Sequence, residues 1–251
     1  MTFTIGGEFG VNRIGLGTNR IEDDGESRAI LAAAVERGVN FIDTADIYTG
    51  GESEQVIGET IGERQDVVVA TKGGYHGAEP DVMAKAIEAS RARLRCDVID
   101  LYYLHRPDPR VQFEKSLEPI IAARDAGRIR HIGVSNVTLT QLRSARMLTP
   151  IAAVQNEYSL DHPDDHGVID YCTEHAIAFV PFFPMRGSKA AGRIAEELGI
   201  TRHQVVLAAM LRRSPVVAPI PGTRSIKHLE ENLAAAKLEL RDEHLAELGF
   251  A

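Results

Sequence analysis

Short apolar runs of strand length alternate with amphipathic stretches along the whole chain, and the alternation repeats eight times. The runs are continuously apolar and do not alternate with polar residues, so each predicted strand is expected to be buried on both faces. Burial of both faces is typical of a parallel sheet covered by helices. The predicted strands span residues 13–19, 40–44, 66–72, 98–105, 131–136, 152–158, 178–183 and 216–222.

The segments between these runs have the spacing of amphipathic helices. Asp24, Ser27 and Thr138 are predicted helix N-caps, and Gly38 and Gly127 stand where helices are expected to end. The predicted helices span 26–38, 53–64, 81–95, 113–127, 139–148, 165–176 and 202–213.

Eight strand–helix units in 251 residues predict an α/β fold, a (β/α)8 TIM barrel that forms one domain over residues 1–251. The alternative is an open doubly wound sheet, which usually carries G-x-G-x-x-G after its first strand. Here GLGTN (15–19) lacks the third glycine and no helix follows it directly. The opening segment 2–12 predicts a β-hairpin across the barrel bottom, and 225–250 predicts extra C-terminal helices.

Composition narrows the cellular setting. A formal net charge of −8 disfavours nucleic acid as the main partner. Cys96 and Cys172 cannot form a disulfide framework and are expected to be free thiols in a reducing compartment. No apolar run approaches the roughly 20 residues of a membrane span, and the first residues do not resemble a signal peptide. We therefore expect a cytoplasmic protein with no membrane partner, of an oligomeric state that the sequence leaves open.

Four side chains fall at or just past the ends of three separate apolar runs: Asp43, Tyr48, Lys72 and His105. The carboxyl ends of barrel strands converge on one mouth, so these residues are expected to be neighbours. A phenol, with an ordinary pKa near 10, gives up a proton at neutral pH only with help. A nearby ammonium stabilises the phenolate, and a carboxylate keeps that ammonium charged. Singly, Asp43 also suits a helix cap and His105 a core position, but the set indicates an acid catalyst for a carbonyl oxygen.

Six segments in order resemble the aldo-keto reductases, and the resemblance covers nearly the whole chain. It is strongest to the bacterial pyridoxal-reductase-like and general oxidoreductase branch. The resemblance implies metal-free, NAD(P)H-dependent reduction of an aldehyde or ketone, with Tyr48 as proton donor, Lys72 and Asp43 as its support, and His105 orienting the carbonyl. The segments are DTADIYTGGESEQVIG, VVVATK, DVIDLYYLH, IRHIGVSN, VQNEYS and IPGTRSIKHLEENL.

The resemblance also implies a set of cofactor contacts, among which Asp43 is counted. For the nicotinamide, Ser135, Asn136 and Gln155 are expected to hold the carboxamide and Phe182 to stack on the ring, with Thr18 and Asn19 near the ribose. Gly187 and Ser188 are expected near the pyrophosphate, and Gly222, Thr223 and Arg224 at a helix N-terminus that suits a phosphate. Glu231 and Asn232 are expected to face the adenine.

The family's usual Lys and Arg for the 2′-phosphate of NADP are Gly222 and His228 in this chain. Arg224 and Lys227 are expected to substitute, so NADP(H) is the favoured cofactor and NAD(H) the alternative. The loops 73–80 and 183–194 are short for the family, which predicts an open pocket and fast cofactor exchange.

The expected substrate contacts are Tyr75, His76 and Phe183. Pyridoxal, sugar-derived aldehydes and aromatic aldehydes all remain open as substrates, because specificity lies in the loops.

Two other function classes compete with a carbonyl reductase. A nicotinamide-binding sensor or regulatory subunit needs the binding residues but not the proton donor, so the intact set of four favours an enzyme. A metal-dependent barrel hydrolase needs a His/Asp ligand cluster at the strand ends, and the sequence offers none there. The sequence therefore favours a reductase that uses no metal.

Overall fold

The core of the fold is a parallel sheet that curls into a ring. The computed structural model describes residues 2–62, 64–162, 166–184 and 189–249. Neighbours along the sheet are also consecutive along the chain, and every pair is parallel. After a hairpin of β1 (Thr2–Ile5) and β2 (Phe9–Asn12), the sheet contains β3 (Leu16–Gly17), β4 (Phe41–Asp43), β5 (Val68–Gly73), β6 (Ile99–Leu104), β7 (Ile129–Ser135), β8 (Ala153–Gln155) and β9 (Ala178–Phe179).

Helices follow the strands and pack around the sheet, which confirms the predicted (β/α)8 barrel. No helix within the described ranges is long and apolar enough to cross a membrane. Cys96 and Cys172 are free thiols, as predicted. The helices are α1 (Gly25–Glu36), α2 (Glu52–Thr60), α3 (Pro80–Leu94), α4 (Phe113–Asp125), α5 (Leu139–Leu148), α6 (His166–Glu174), α7 (Lys189–Leu198), α8 (Arg202–Arg213), α9 (Ile226–Ala234) and α10 (Asp242–Glu247), with 3-10 turns at Tyr48–Gly51 and Ala235–Lys237.

The eighth predicted strand, 216–222, closes the ring without forming a regular ladder. The backbone N–H of Ala218 donates to the carbonyl of Phe179, and the N–H of Gly15 donates to the carbonyl of Pro219. Pro219 and Pro221 have no N–H, so this segment cannot supply a full set of ladder hydrogen bonds. The eighth segment of the barrel wall therefore lies where it was predicted, but the prediction that it forms a regular strand is wrong.

The hairpin closes the amino end of the barrel, as predicted. Its turn contains Gly6 and Gly7, both with positive φ, a conformation that glycine adopts without steric cost. Ile5 and Val11 are fully buried and belong to the same hydrophobic cluster as Phe41, at the start of β4. The opposite, carboxyl end of the barrel remains free for a site.

Local caps fix the helices that follow the strands. The Asp24 carboxylate accepts the backbone N–H three residues on and begins α1, while Thr138 forms a complete capping box on α5. Ser27 is not a cap as predicted, because it lies inside α1 and is fully buried. Gly38 and Gly127 follow α1 and α4 with φ of 88° and 71°, as expected for glycines that end helices.

Helix α7 was not predicted, because residues 183–194 were interpreted as a loop. Its buried residues, Ala191, Ile194 and Ala195, have helical spacing. The helix is strongly amphipathic, so its period was a signal in the sequence that the interpretation as a loop missed.

Candidate active site

The strand ends bring the predicted catalytic residues to one rim of the barrel. Asp43 is the last residue of β4, Lys72 lies one residue before the end of β5, and His105 follows β6 directly. The three strands are consecutive in the sheet and parallel, so their carboxyl ends lie side by side. The expected convergence of these side chains is present.

Tyr48 reaches the same rim from a tight turn rather than from a strand. It begins a 3-10 turn in which Thr49, Gly50 and Gly51 have φ of 48°, 69° and 99°. The Thr49 hydroxyl donates to the Ile21 carbonyl at 2.9 Å, which holds the turn against the loop after β3. Positive φ is costly for a threonine, and such strain persists only where the surroundings hold it. The turn therefore fixes the phenol over the rim.

Lys72 is buried beneath the phenol and contacts three oxygens. Its Nζ lies 2.5 Å from Asp43 Oδ1, 2.7 Å from the Thr44 carbonyl and 3.4 Å from Tyr48 Oη. The Asp43 and Lys72 side chains are each 1% exposed. The other Asp43 oxygen accepts from Gln155 Nε2 at 2.7 Å. A buried charge is stable only when it is paired and hydrogen-bonded, and both members of this pair are.

Burial acts against the charged forms of both members of the pair. It raises the pKa of the Asp43 carboxyl, whereas Lys72 and Gln155 lower it by donating to its two oxygens. Burial also lowers the pKa of Lys72, but the attraction of Asp43 and of the Tyr48 oxygen outweighs this, and the pKa lies above its ordinary value. Lys72 is therefore an ammonium at neutral pH, within reach of the phenol.

His105 completes the rim as a neutral ring. Burial, followed by the positive charges of Lys72 and Arg106, lowers its pKa to about 3. A neutral imidazole carries one N–H donor and one acceptor nitrogen. The ring lies edge-on to Tyr48 with 6.3 Å between centroids, and Tyr75 packs against it at 4.9 Å.

One cavity of about 640 Å³ opens on this rim and joins the predicted catalytic residues to many of the predicted binding residues. Lys72 is buried behind its wall. Besides Asp43, Tyr48 and His105, the predicted lining residues are Thr18, Asn19, Tyr75, Ser135, Asn136, Gln155, Phe182, Phe183 and Gly222.

Seven lining residues were not predicted. Each is either the immediate sequence neighbour of a predicted residue or lies two positions away, so the signal that could have found them was proximity to the motifs. They are Gly17, Arg20, Ile47, Glu157, Pro184, Ile220 and Pro221.

One wall of the cavity has the chemistry that a nicotinamide needs. Ser135 and Gln155 are buried at the ends of β7 and β8 and offer hydroxyl and amide groups. Asn136 has φ of 57°, and its Nδ2 donates to the His105 carbonyl at 3.0 Å. Phe182 adds a flat apolar ring beside these groups. A carboxamide carries both donors and an acceptor, so this wall fits a nicotinamide.

Two glycines bring the closing segment of the barrel close to β3. A Cβ on Gly17 would lie 2.6 Å from the Ile220 carbonyl oxygen, and a Cβ on Gly222 would lie 3.1 Å from the Gly17 carbonyl oxygen. Any larger residue would push the two segments apart. Gly222 thus has a packing role in addition to its place in the cavity wall.

Thr18 also forms hydrogen bonds at the rim. Its hydroxyl and its backbone N–H both donate to the Asp43 carbonyl, at 2.9 and 3.0 Å, and its oxygen accepts from Ser53 at 2.9 Å. The side chain is fully buried. The predicted ribose neighbour therefore holds the end of β4 in place.

The remaining predicted contacts lie away from the cavity lining. His76 is exposed and packs against Tyr75 at 5.1 Å, so it does not line the cavity as a substrate contact would. Gly187 and Ser188 lie outside the described residues. The others, around the start of α9, are Thr223, Arg224, His228, Glu231 and Asn232.

Arg224 has partners that the sequence did not predict. Its guanidinium contacts Glu22 at 3.2 Å, Asp24 at 2.6 Å and Glu26 at 2.9 Å. Lys227, the second predicted cation, is 80% exposed and pairs with Glu231 at 3.8 Å. The cations expected to hold a phosphate are thus both paired with carboxylates.

Comparison with known proteins adds to this geometry. The model of the Aldo/keto reductase family matches residues 9–193 and 185–249. Pyridoxine 4-dehydrogenase of Escherichia coli K12 is 36% identical, over 98% of this chain and 96% of its own length.

Solved structures agree with the family match. The thermostable aldo-keto reductase Tm1743, in complex with the inhibitor epalrestat, superposes with a TM-score of 0.91 at 30% identity, covering 99% of this chain and 98% of that one. An aldo/keto reductase from Klebsiella pneumoniae, in complex with NADP and acetate, gives a TM-score of 0.87 at 30% identity, covering 98% and 93%.

Proposed function

Because the chain belongs to the aldo/keto reductase family, we propose that it reduces an aldehyde or ketone to an alcohol with NADPH, and that Tyr48 donates the proton. The observation that carries the proposal is the buried Lys72 ammonium, which contacts Asp43 on one side and the Tyr48 hydroxyl on the other. This contact places a positive charge beside the phenol oxygen, where it can stabilise a phenolate. A tyrosine that only packs in the fold does not need such a neighbour.

The reaction requires that charge developing on the carbonyl oxygen be met by a proton or by oriented donors. When bound, the reduced nicotinamide supplies the hydride that the carbonyl carbon accepts. Tyr48 gives its proton to the oxygen, and the Lys72 ammonium stabilises the phenolate that remains. Asp43 keeps Lys72 charged in a buried setting.

His105 has a different task from Tyr48. With a pKa lowered to about 3, the ring is neutral over the whole physiological range. It therefore orients the substrate carbonyl through an N–H group rather than delivering a proton. Tyr48 therefore donates the proton and His105 orients the carbonyl, because the environments of the two side chains set different protonation states.

The cofactor-binding residues follow from the cavity wall. Ser135, Asn136 and Gln155 hold the carboxamide of the nicotinamide, and Phe182 covers its ring. Arg224, two residues beyond Gly222 of the cavity wall, is the permanent cation that we assign to the 2′-phosphate. NADP(H) is favoured over NAD(H) because this cation lies at the start of α9 and because the Klebsiella relative holds NADP.

A nicotinamide sensor without turnover is the competing function. The set of Asp43, Tyr48, Lys72 and His105 favours an enzyme, since binding alone requires no proton donor. Apolar and aromatic groups, including Ile47, Tyr75 and Phe183, are among the residues that line the cavity. Pyridoxal, a planar aldehyde, is therefore a suitable first substrate, and the similarity to pyridoxine 4-dehydrogenase supports the same choice.

The test is NADPH consumption over a panel of aldehydes and ketones that includes pyridoxal, aromatic aldehydes and open-chain sugars, with NADH in parallel. We expect turnover of at least one aldehyde and a lower KM for NADPH than for NADH. Direct titration with NADPH accompanies the screen. Tight NADPH binding with no turnover across the panel would support the sensor instead.

A further inference from the structure

Residues 22–26 read EDDGE, run from the end of the β3–α1 connection into the first turn of α1, and are called the acid loop below. Three of its four carboxylates contact the Arg224 guanidinium, with Asp24 the nearest at 2.6 Å and Glu22 and Glu26 at 3.2 and 2.9 Å. Asp23 pairs with Arg28 at 2.6 Å instead. One cation is therefore shared by three anions that lie about two hundred positions earlier in the chain.

The three carboxylates that contact Arg224 differ in whether they also stabilise a helix. Asp24 caps α1, because one oxygen accepts from the Ser27 backbone N–H at 2.7 Å while the other accepts from Arg224. The Glu22 and Glu26 side chains are 58% and 62% exposed, and within the described part of the chain their carboxylates form ion pairs with Arg224 alone. Glu22 and Glu26 can therefore be changed without removing the helix cap.

The charge around Arg224 is negative despite the guanidinium. One positive and three negative charges leave a formal excess of two negative charges. Lys227 does not offset this excess, because it pairs with Glu231. A phosphate that approached Arg224 would meet both the cation and the carboxylates that already hold it.

The position of Arg224 makes this charge balance matter for cofactor binding. It lies two residues after Gly222, which lines the cavity, and directly before Ser225, whose side chain caps α9. The 2′-phosphate is the group by which NADPH differs from NADH. Its oxygens need the same charge-assisted hydrogen bonds that the carboxylates now receive.

We propose that the acid loop competes with the 2′-phosphate of NADP(H) for Arg224, so that Glu22 and Glu26 weaken NADPH binding selectively and set the preference between the two cofactors. The inference rests on the proposed function, since it assumes that the cavity binds a nicotinamide dinucleotide. Exposed ion pairs are weak in water, so the loop moderates phosphate binding rather than preventing it.

The test uses Glu22→Gln/Glu26→Gln, which removes two carboxylates and keeps the size of both side chains. Dissociation constants for NADPH and NADH are measured by calorimetric titration, without substrate. We expect NADPH to bind about three- to tenfold more tightly, the size expected for releasing two exposed ion pairs, and NADH to change by less than about twofold.

A matched control separates competition for Arg224 from a general change of net charge. Glu88→Gln/Glu118→Gln removes two carboxylates from α3 and α4, whose ion pairs are with Arg91, Arg128 and Lys115 and not with Arg224. We expect no change in the NADPH dissociation constant beyond about twofold. An equal gain for NADPH and NADH in the acid-loop variant, or an equal gain in the control, would overturn the proposal.

The same two substitutions in an Arg224→Ala background test the route of the effect. If the carboxylates act by holding Arg224, the gain in NADPH affinity should fall below about twofold when the arginine is absent. A gain as large as in the wild-type background means direct repulsion of the phosphate, which contradicts the competition. A wild-type protein that binds neither NADPH nor NADH overturns the proposed function, and this inference with it, whereas wild-type binding without a gain overturns this inference alone.

Discussion

The catalytic rim and the start of α9 each contain one important cation, but they hold it in opposite ways. Lys72 and Asp43 form a buried pair whose side chains are each 1% exposed. The Arg224 side chain is 27% exposed and contacts three carboxylates that are more exposed than itself. The buried pair has fixed partners, whereas water and other anions compete for the exposed one.

This difference agrees with the separate roles proposed for the two regions. A buried ion pair that loses one member leaves a charge without compensation, which is strongly destabilising. An exposed ion pair contributes little and exchanges its partners readily. The rim is therefore suited to holding a proton donor in one geometry, and the start of α9 is suited to choosing among anionic ligands.

Removing the buried cation should have the largest effect. Lys72→Met should lower turnover by at least about 100-fold, because the Tyr48 phenolate loses its stabilising charge. It should also lower the free energy of unfolding by about 3–5 kcal/mol, because Asp43 is left buried without its partner. Turnover and urea unfolding are measured in parallel, with the exposed Lys115→Met as control.

The double variant Asp43→Asn/Lys72→Met separates the two effects of that substitution. It removes both charges, so the free energy of unfolding should recover toward the wild-type value while turnover stays low. Recovery of turnover together with stability would show that Lys72 acts only by preserving the fold.

Removing the partly exposed Arg224 cation should affect the binding of one cofactor only. Arg224→Ala is expected to weaken NADPH binding by about 1.5–3 kcal/mol, the range for a hydrogen bond to a charged group. NADH binding should barely change, since it has no 2′-phosphate. Arg128→Ala, whose ion pair is with Glu88 on α3 and away from the acid loop, is the matched control. Equal binding of NADPH by both variants and the wild type would remove Arg224 from the cofactor site.

Asp46 offers a smaller test of the same contrast. Its carboxyl group lies near the rim, but unlike Asp43 it has no close cation as a partner within the described residues. Burial, followed by the negative charge of Glu54, raises its pKa to about 6, and its Oδ1 has no hydrogen-bond partner within the described part of the chain. A carboxyl group with a raised pKa in the folded state favours folding when protonated. That contribution is complete below about pH 4 and is lost as the pH rises through about 6.

Asp46→Asn should therefore stabilise the protein above about pH 6 by about 1–2 kcal/mol and have little effect near pH 4. The measurement is urea unfolding of both proteins across that pH range, with the exposed Asp97→Asn as control. A difference between Asp46→Asn and wild type that stays constant with pH would contradict the assignment of a raised pKa to Asp46.

The same contrast explains what the sequence could and could not predict. The rim was predictable because Asp43, Lys72 and His105 each terminate a continuous apolar run, and the barrel brings strand ends together. The residues of the cavity wall were predicted from the family resemblance, which implied Ser135, Asn136, Gln155 and Phe182 as cofactor contacts. The apolar run at 216–222 predicted a regular strand. Its two prolines fit the apolar pattern, but they lack the N–H groups that a strand needs for its ladder of hydrogen bonds.

The partners of Arg224 could not be predicted by these rules. The acid loop is visible in the sequence as a run of charge, but a charge run alone does not identify its partner across about two hundred residues. Arg224 has no periodic or motif-based link to Glu22 or Glu26. Such contacts depend on how the first and last barrel segments meet, which only the three-dimensional structure provides.

The central claim is that Tyr48 donates the proton, while separate residues hold the cofactor. Tyr48→Phe, compared with Tyr171→Phe on α6 as a matched control, tests it through single-turnover rates and NADPH dissociation constants. We predict a rate at least about 100-fold lower for Tyr48→Phe, with an NADPH dissociation constant within about twofold of wild type. A Tyr48→Phe protein that reduces its best aldehyde at the wild-type rate would contradict the account.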